Sequence, residues 1–110
     1  MEIYNIKDMV GGWFVGNFSP SAYKTKDFEV SYKLHPKGEE WSVHYHKLAD
    51  EINFLVKGKM IIQGREINEG EIFVIKKYEI ADPVFLEDCY IVCVKTVSDT
   101  SDKYCVGKNV

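Results

Sequence analysis

The stretch "GEEWSVHYHKLADEINFLVKG", residues 38–58, decides how this 110-residue chain is read. His44 and His46 stand two apart in "WSVHYH" (41–46), a segment rich in strand formers. Side chains two apart on a strand share a face. Glu51 opens the next strand-forming run, "EINFLV" (51–56), while Gly38 and Gly58 bracket the pair and supply turns. Laid antiparallel, the two runs bring His44, His46 and Glu51 to one point inside a closed sheet. Asn53 and Leu55 follow Glu51 on that inward face. Trp41 and Tyr45 alternate with the histidines, so they are expected to face away, toward a second sheet or a partner subunit. Two imidazoles beside a carboxylate are costly to bury without a purpose.

Working outward, strand signals follow one another closely. "DFEVSYKLH" (27–35) alternates Phe28, Val30, Tyr32 and Leu34 with Glu29, Ser31, Lys33 and His35, the period of a half-buried strand. "HPKGEE" (35–40) reads as a loop at its end. "KGK" (57–59) is a tight turn into "MIIQ" (60–63); a turn at Gly64 and Arg65, and another at "NEG" (68–70), lead to "EIFVIK" (71–76). "CYIVCVKT" (89–96) is the last long strand, and "GWFVGNF" (12–18) adds an apolar one upstream. No segment carries an apolar 3.6-residue period. Many short strands with spaced turns predict an all-β barrel or sandwich, one domain over 1–110. Its core runs over about 27–96, with N-terminal strands in 1–26. The polar tail 97–110 is a loop or an edge strand, and "DKY" (102–104) within it is expected to be solvated.

Composition narrows the function. Apolar residues make up 45%, enough for a real core, which argues against disorder. A net charge of −3 argues against nucleic-acid binding, which needs a basic face. No apolar stretch approaches the ~20 residues of a membrane helix, and no signal peptide is visible. Cys89, Cys93 and Cys105 make an odd count, read as free thiols in a reducing cytoplasm. Cys89 and Cys93, four residues apart at ~3.3 Å per strand residue, are too far apart to share a zinc ion.

The spacing Gly38, His44, His46, Glu51, Gly58 resembles the first motif of the cupin superfamily, G-x5-H-x-H-x3,4-E-x6-G, at every fixed position. The second cupin motif, G-x5-P-x-G-x2-H-x3-N, is degenerate. It starts at Gly70 but has Lys76 for its proline, Tyr78 for its glycine, Ala81 for its histidine and Phe85 for its asparagine. The resemblance implies a double-stranded β-helix of the jelly-roll type. It also implies a metal site at His44, His46 and Glu51, without the third histidine of a typical metal cupin. A divalent transition metal (Zn, Mn, Fe or Ni) would then bind weakly or not at all, with Asp82 or Glu79 as candidate fourth ligands. His35 is a poor substitute, since it is read into a loop.

Three functional readings follow. In the leading one the barrel binds a small polar molecule, a sugar or sugar derivative, through His44 and His46. Glu51, Asn53 and the strand tyrosine Tyr32 are further contacts. The resemblance to metal-free sugar-modifying cupins implies isomerase, epimerase or dehydratase chemistry on a keto-sugar, with the two histidines moving protons. The single arginine, Arg65, weighs against a pyrophosphate-bearing substrate, which bidentate arginines usually grip. The second reading is a metal-dependent cupin, of oxygenase or isomerase type, with the reduced ligand set. The third is a non-catalytic binding module. A homodimer is expected, because "GWFVGNF" supplies more apolar strand than one small barrel needs at its edge.

Overall fold

A computed structural model of the chain describes residues 1–106. Ten strands run in chain order: β1 (Trp13–Val15), β2 (Glu29–His35), β3 (His44–Tyr45), β4 (Glu51–Lys57), β5 (Lys59–Ile62), β6 (Arg65–Asn68), β7 (Ile72–Ile75), β8 (Val84–Phe85), β9 (Cys89–Lys95) and β10 (Tyr104–Cys105). The helical structure consists of two short 3-10 turns near the N-terminus, Ile6–Asp8 and Val10–Gly12. No helix among the described residues is long and apolar enough to cross a membrane.

The strands form a five-stranded sheet ordered β1-β2-β9-β4-β7, a three-stranded sheet β6-β5-β8 and a small pair β10-β3, with antiparallel strand pairings. The two larger sheets share one core. Leu55, Ile75, Cys89 and Ile91 from the first meet Met60, Ile62 and Phe85 from the second. Along the inner face of β4 and β9 the character changes from residue pair to residue pair. Leu55 lies opposite Ile91, then Asn53 opposite Cys93, then Glu51 opposite Lys95. One end of the sandwich is thus packed with hydrocarbon and the other is polar.

The motif glycine between β4 and β5 has a steric reason. Gly58 has φ 116°, and a Cβ there would sit 2.4 Å from the Asp88 carbonyl oxygen and 2.9 Å from the Cys89 Cα. Only glycine lets the turn lie against that backbone.

The alternation in β2 has the expected period but the opposite sense. Glu29, Ser31 and His35 are buried, while Tyr32 and Leu34 are exposed. The polar set lines the space between the sheets, and the apolar set covers the outside. "GWFVGNF" also departs from its reading as surplus apolar edge. β1 is half-buried, and Trp13 and Phe18 line the interior cavity. Within the tail, β10 is an edge strand paired with β3, setting Cys105 opposite His44, while 107–110 lie outside the described residues.

Candidate functional site

A cavity of about 660 Å³ opens at the polar end of the sandwich. Three of its wall residues converge. His44 and His46 come from β3 and its continuation, Glu51 from the start of β4, and one ligating atom from each lies within 4.8 Å of the others. All three are buried. The imidazole rings are 5.1 Å apart and nearly perpendicular.

A hydrogen bond orients His44, and a carboxylate contact lies beside His46. His44 Nδ1 donates to the Ser42 carbonyl at 3.0 Å, since a carbonyl can only accept, so its Nε2 carries the lone pair. His46 Nδ1 lies 3.4 Å from a Glu51 carboxylate oxygen, and its Nε2 is buried with no hydrogen-bond partner. A buried imidazole nitrogen without a partner is costly, and among the described residues it is the one such side-chain atom. Asn53 faces the same cavity and donates to the other Glu51 oxygen at 3.3 Å.

Burial pushes the pKa of both histidines below the ordinary 6.5, with nearby lysines adding to the shift: Lys103 and Lys95 for His44, Lys95 for His46. Both rings are therefore neutral at pH 7, the form that ligates a metal or accepts a proton.

The structure gathers His44, His46, Glu51 and Asn53, and corrects other assignments. Tyr32 points outward, 6.4 Å from Tyr90 ring to ring and away from the cavity, because β2 presents its odd-numbered residues inward. Asp82 and Glu79 do not lie in the cluster formed by His44, His46 and Glu51. The Asp82 carboxylate accepts the Gln63 backbone N–H at 2.8 Å, and Glu79 accepts that of Lys76 at 2.6 Å. Ala81 does sit on the cavity wall, bridged to His44 by paired backbone hydrogen bonds, and its methyl offers no donor.

Trp41 lines the cavity instead of facing away, with its ring 5.7 Å from that of His44. Residues 36–43 are not strand, so the two-residue alternation does not extend back from His44. Tyr45 does face away and stacks on Tyr78 and Tyr104.

Several wall residues were not singled out from sequence. His35 belongs to β2 rather than to a loop. It is buried, stacks on Phe85 at 4.7 Å, and donates from Nδ1 to Glu39 at 2.6 Å; the same carboxylate accepts the Trp41 indole N–H. Lys33, Lys95 and Lys103 also line the cavity. Lys95 is held 3.8 Å from Glu29 and lies over the Trp13 ring at 4.9 Å. Extending the β9 alternation to Lys95 would have found one of these. Asp102, expected from the sequence to be solvated, is not. It is buried, and its carboxylate accepts the backbone N–H groups of Lys47, Leu48 and Ala49 at 2.8, 3.1 and 3.0 Å, fixing the turn after His46.

Burial also lowers the His35 pKa below 6.5, although Glu39 opposes the shift. A depressed imidazole pKa means the unfolded chain binds more protons as pH falls below 6.5. The stability contribution is therefore full above 6.5 and is lost as pH drops toward the folded-state value. Metal-free protein should show a falling melting temperature between pH 7 and 5.5, and His35→Gln should flatten that slope. A slope unchanged by the substitution would contradict the assignment.

No family model matches the sequence, and no curated protein matches it. Solved structures do. An uncharacterized conserved protein with a double-stranded beta-helix domain from Klebsiella pneumoniae matches with a TM-score of 0.69 at 16% identity, covering 96% of this chain and 92% of that one. The chain has the cupin fold. KdgF from Halomonas sp. is similar at a TM-score of 0.61 and 22% identity, over 70% of this chain and 74% of that one. A cupin-2 domain containing protein from Shewanella frigidimarina gives 0.52 and 23%, over 64% and 71%. At these identities the likeness establishes the cupin fold alone. Function must be argued from the site.

Proposed function

We propose that the cavity binds a small, oxygen-rich polar molecule, a sugar or sugar derivative being the best fit. At its centre His44, His46 and Glu51 hold a divalent transition metal weakly. The observation that carries this reading is the unpartnered, buried Nε2 of His46, set within one cluster with His44 and Glu51. Two neutral imidazoles and a carboxylate suit iron, manganese, nickel or zinc and leave positions open for a ligand. The methyl group of Ala81 on the same wall limits the protein donors to three, which explains weak binding.

The wall carries charges of both signs: Lys33, Lys95 and Lys103 stand beside Glu29, Glu40, Asp99 and Asp102, which suits a polar, oxygen-rich ligand. Asn53 and Ser31 add polar contacts, and Trp41 and Phe73 add apolar wall. A concave site with a few convergent polar groups is the usual form of a small-molecule pocket.

A bound divalent ion would supply Lewis-acid polarisation of a ligand oxygen. The chain's own contribution is to position the imidazoles through Ser42 and Glu51 and to offer Asn53 and Lys95 to the ligand's oxygens. The His46–Glu51 contact favours a second, metal-free reading. There Glu51 orients His46 Nδ1–H, and the free Nε2 takes a proton from a carbon next to a carbonyl, as an isomerase or epimerase requires.

Mass spectrometry of small molecules released by denaturing the untreated protein tests the ligand class, followed by NMR of the recovered compound with fresh protein in deuterated water. The expected compound is a sugar or sugar derivative. Deuterium entering at the carbon beside its carbonyl would assign proton-transfer chemistry. Recovery of a neutral, apolar molecule would sink the proposal.

A further inference from the structure

A metal held by His44, His46 and Glu51 takes the lone pair of His46 Nε2, and that nitrogen then cannot accept a proton. The cavity wall carries another imidazole that the cluster does not use. His35, on β2, lines the cavity and is buried. Its Nδ1 lies 2.6 Å from a Glu39 carboxylate oxygen. Burial alone would raise the Glu39 pKa, but hydrogen bonds from His35 and Trp41 outweigh it and hold the carboxyl below its ordinary value. An ionised carboxylate only accepts, so Nδ1 carries the hydrogen and Nε2 the lone pair. That Nε2 has no hydrogen-bond partner among the described residues, and it is not sealed from solvent as His46 Nε2 is. It keeps access to the space that His35 lines.

The ring is held in place. Phe85 stacks on it at 4.7 Å with the planes 6° apart, and the Trp41 ring packs against it at 5.1 Å. The Trp41 indole N–H donates to the same Glu39 carboxylate at 2.8 Å, and its ring is also 5.7 Å from that of His44. One indole thus adjoins both imidazoles, so a small molecule beside it reaches His35 and the cluster together.

We infer that His35, positioned by Glu39, is the base that takes a proton from a carbonyl-bearing polar ligand, while His44, His46 and Glu51 hold the metal. The inference rests on the ligand reading above and deepens it. The C–H bond beside the ligand's carbonyl breaks, its electron pair passes into the enolate, and His35 Nε2 takes the proton. The imidazolium so formed is paired with Glu39, which stays ionised. Return of a proton from Nε2 to carbon restores the neutral ring. Burial favours that neutral ring before the ligand reacts; Lys33 adds to the effect, while Glu39 and, from β4, Glu51 oppose it. Cys89, opposite His35 on β9, shares its thiol hydrogen with the Lys59 carbonyl.

Diethyl pyrocarbonate, with the modified residues located by mass spectrometry, tests the base without a ligand. His35 should react in the folded protein at pH 7. In Glu39→Ala the pH midpoint of that reaction should fall, since no carboxylate then favours the imidazolium. In deuterated water, the compound released from the untreated protein should exchange the hydrogen beside its carbonyl with the wild type. With His35→Gln the exchange should be at least ~100-fold slower. His35→Gln should still take up cobalt(II) with the visible absorption of the wild type, which separates loss of the base from loss of the metal site. Wild-type protein that binds no cobalt(II) but shows His35 reaction and His35-dependent exchange would count against the metal reading and leave the base standing. No exchange with the wild type, equal exchange in His35→Gln, or a His35 that reacts only after unfolding would each overturn the proposal.

Discussion

Asp102→Ala should lower the unfolding free energy by about 2–4 kcal/mol, because one carboxylate satisfies three backbone donors that would lose their partner together. Hydrogen bonds to a charged acceptor are worth more than neutral ones, and the one to Ala49 is buried away from water. For a domain near 100 residues, 1 kcal/mol moves the melting temperature by about 4–8 °C. A drop of about 8–32 °C by calorimetry is therefore expected. Asp102→Asn should recover only part of it, since an amide keeps one accepting oxygen of two. A loss under ~0.5 kcal/mol would mean the tail does not brace the turn that follows His46.

His46→Ala should weaken metal binding by at least ~100-fold, since even partners behind a ligand are commonly worth ~10–100-fold. Titration with cobalt(II), followed by its visible absorption and by calorimetry, measures this directly. Tyr45→Phe is the control, because that ring stacks outside the cavity between Tyr78 and Tyr104. Equal loss in both variants would indicate a general disturbance of β3 rather than a lost ligand.

The parts of this account legible in the sequence are those fixed by local spacing. His44, His46 and Glu51 were found because a strand's two-residue period and one turn suffice to bring them together. The sense of the β2 alternation was not legible. Tyr32 and Leu34 on one side and Ser31 and His35 on the other define two faces, but not which is inside. Here the interior is a polar cavity and the exterior an apolar surface, so the usual rule of burial inverts. Trp41 was misplaced because the chain leaves the strand before His44, and a period cannot be carried through a loop. Asp102 lies more than 50 residues from the amides it holds. Pairing at that separation leaves no pattern in the local sequence, and only the fold brings the tail to the site.

The central claim is that the orphaned His46 nitrogen belongs to a three-donor metal centre. Elemental analysis of protein purified without a metal-affinity step, before and after saturation with a transition metal and then dialysis against EDTA, tests it most directly. The expected result is partial occupancy as purified, saturation at one ion per chain, loss to EDTA, and no saturable binding in His44→Ala or His46→Ala. Wild-type protein that takes up no metal at any concentration, or variants that bind it as well as the wild type, would contradict the account.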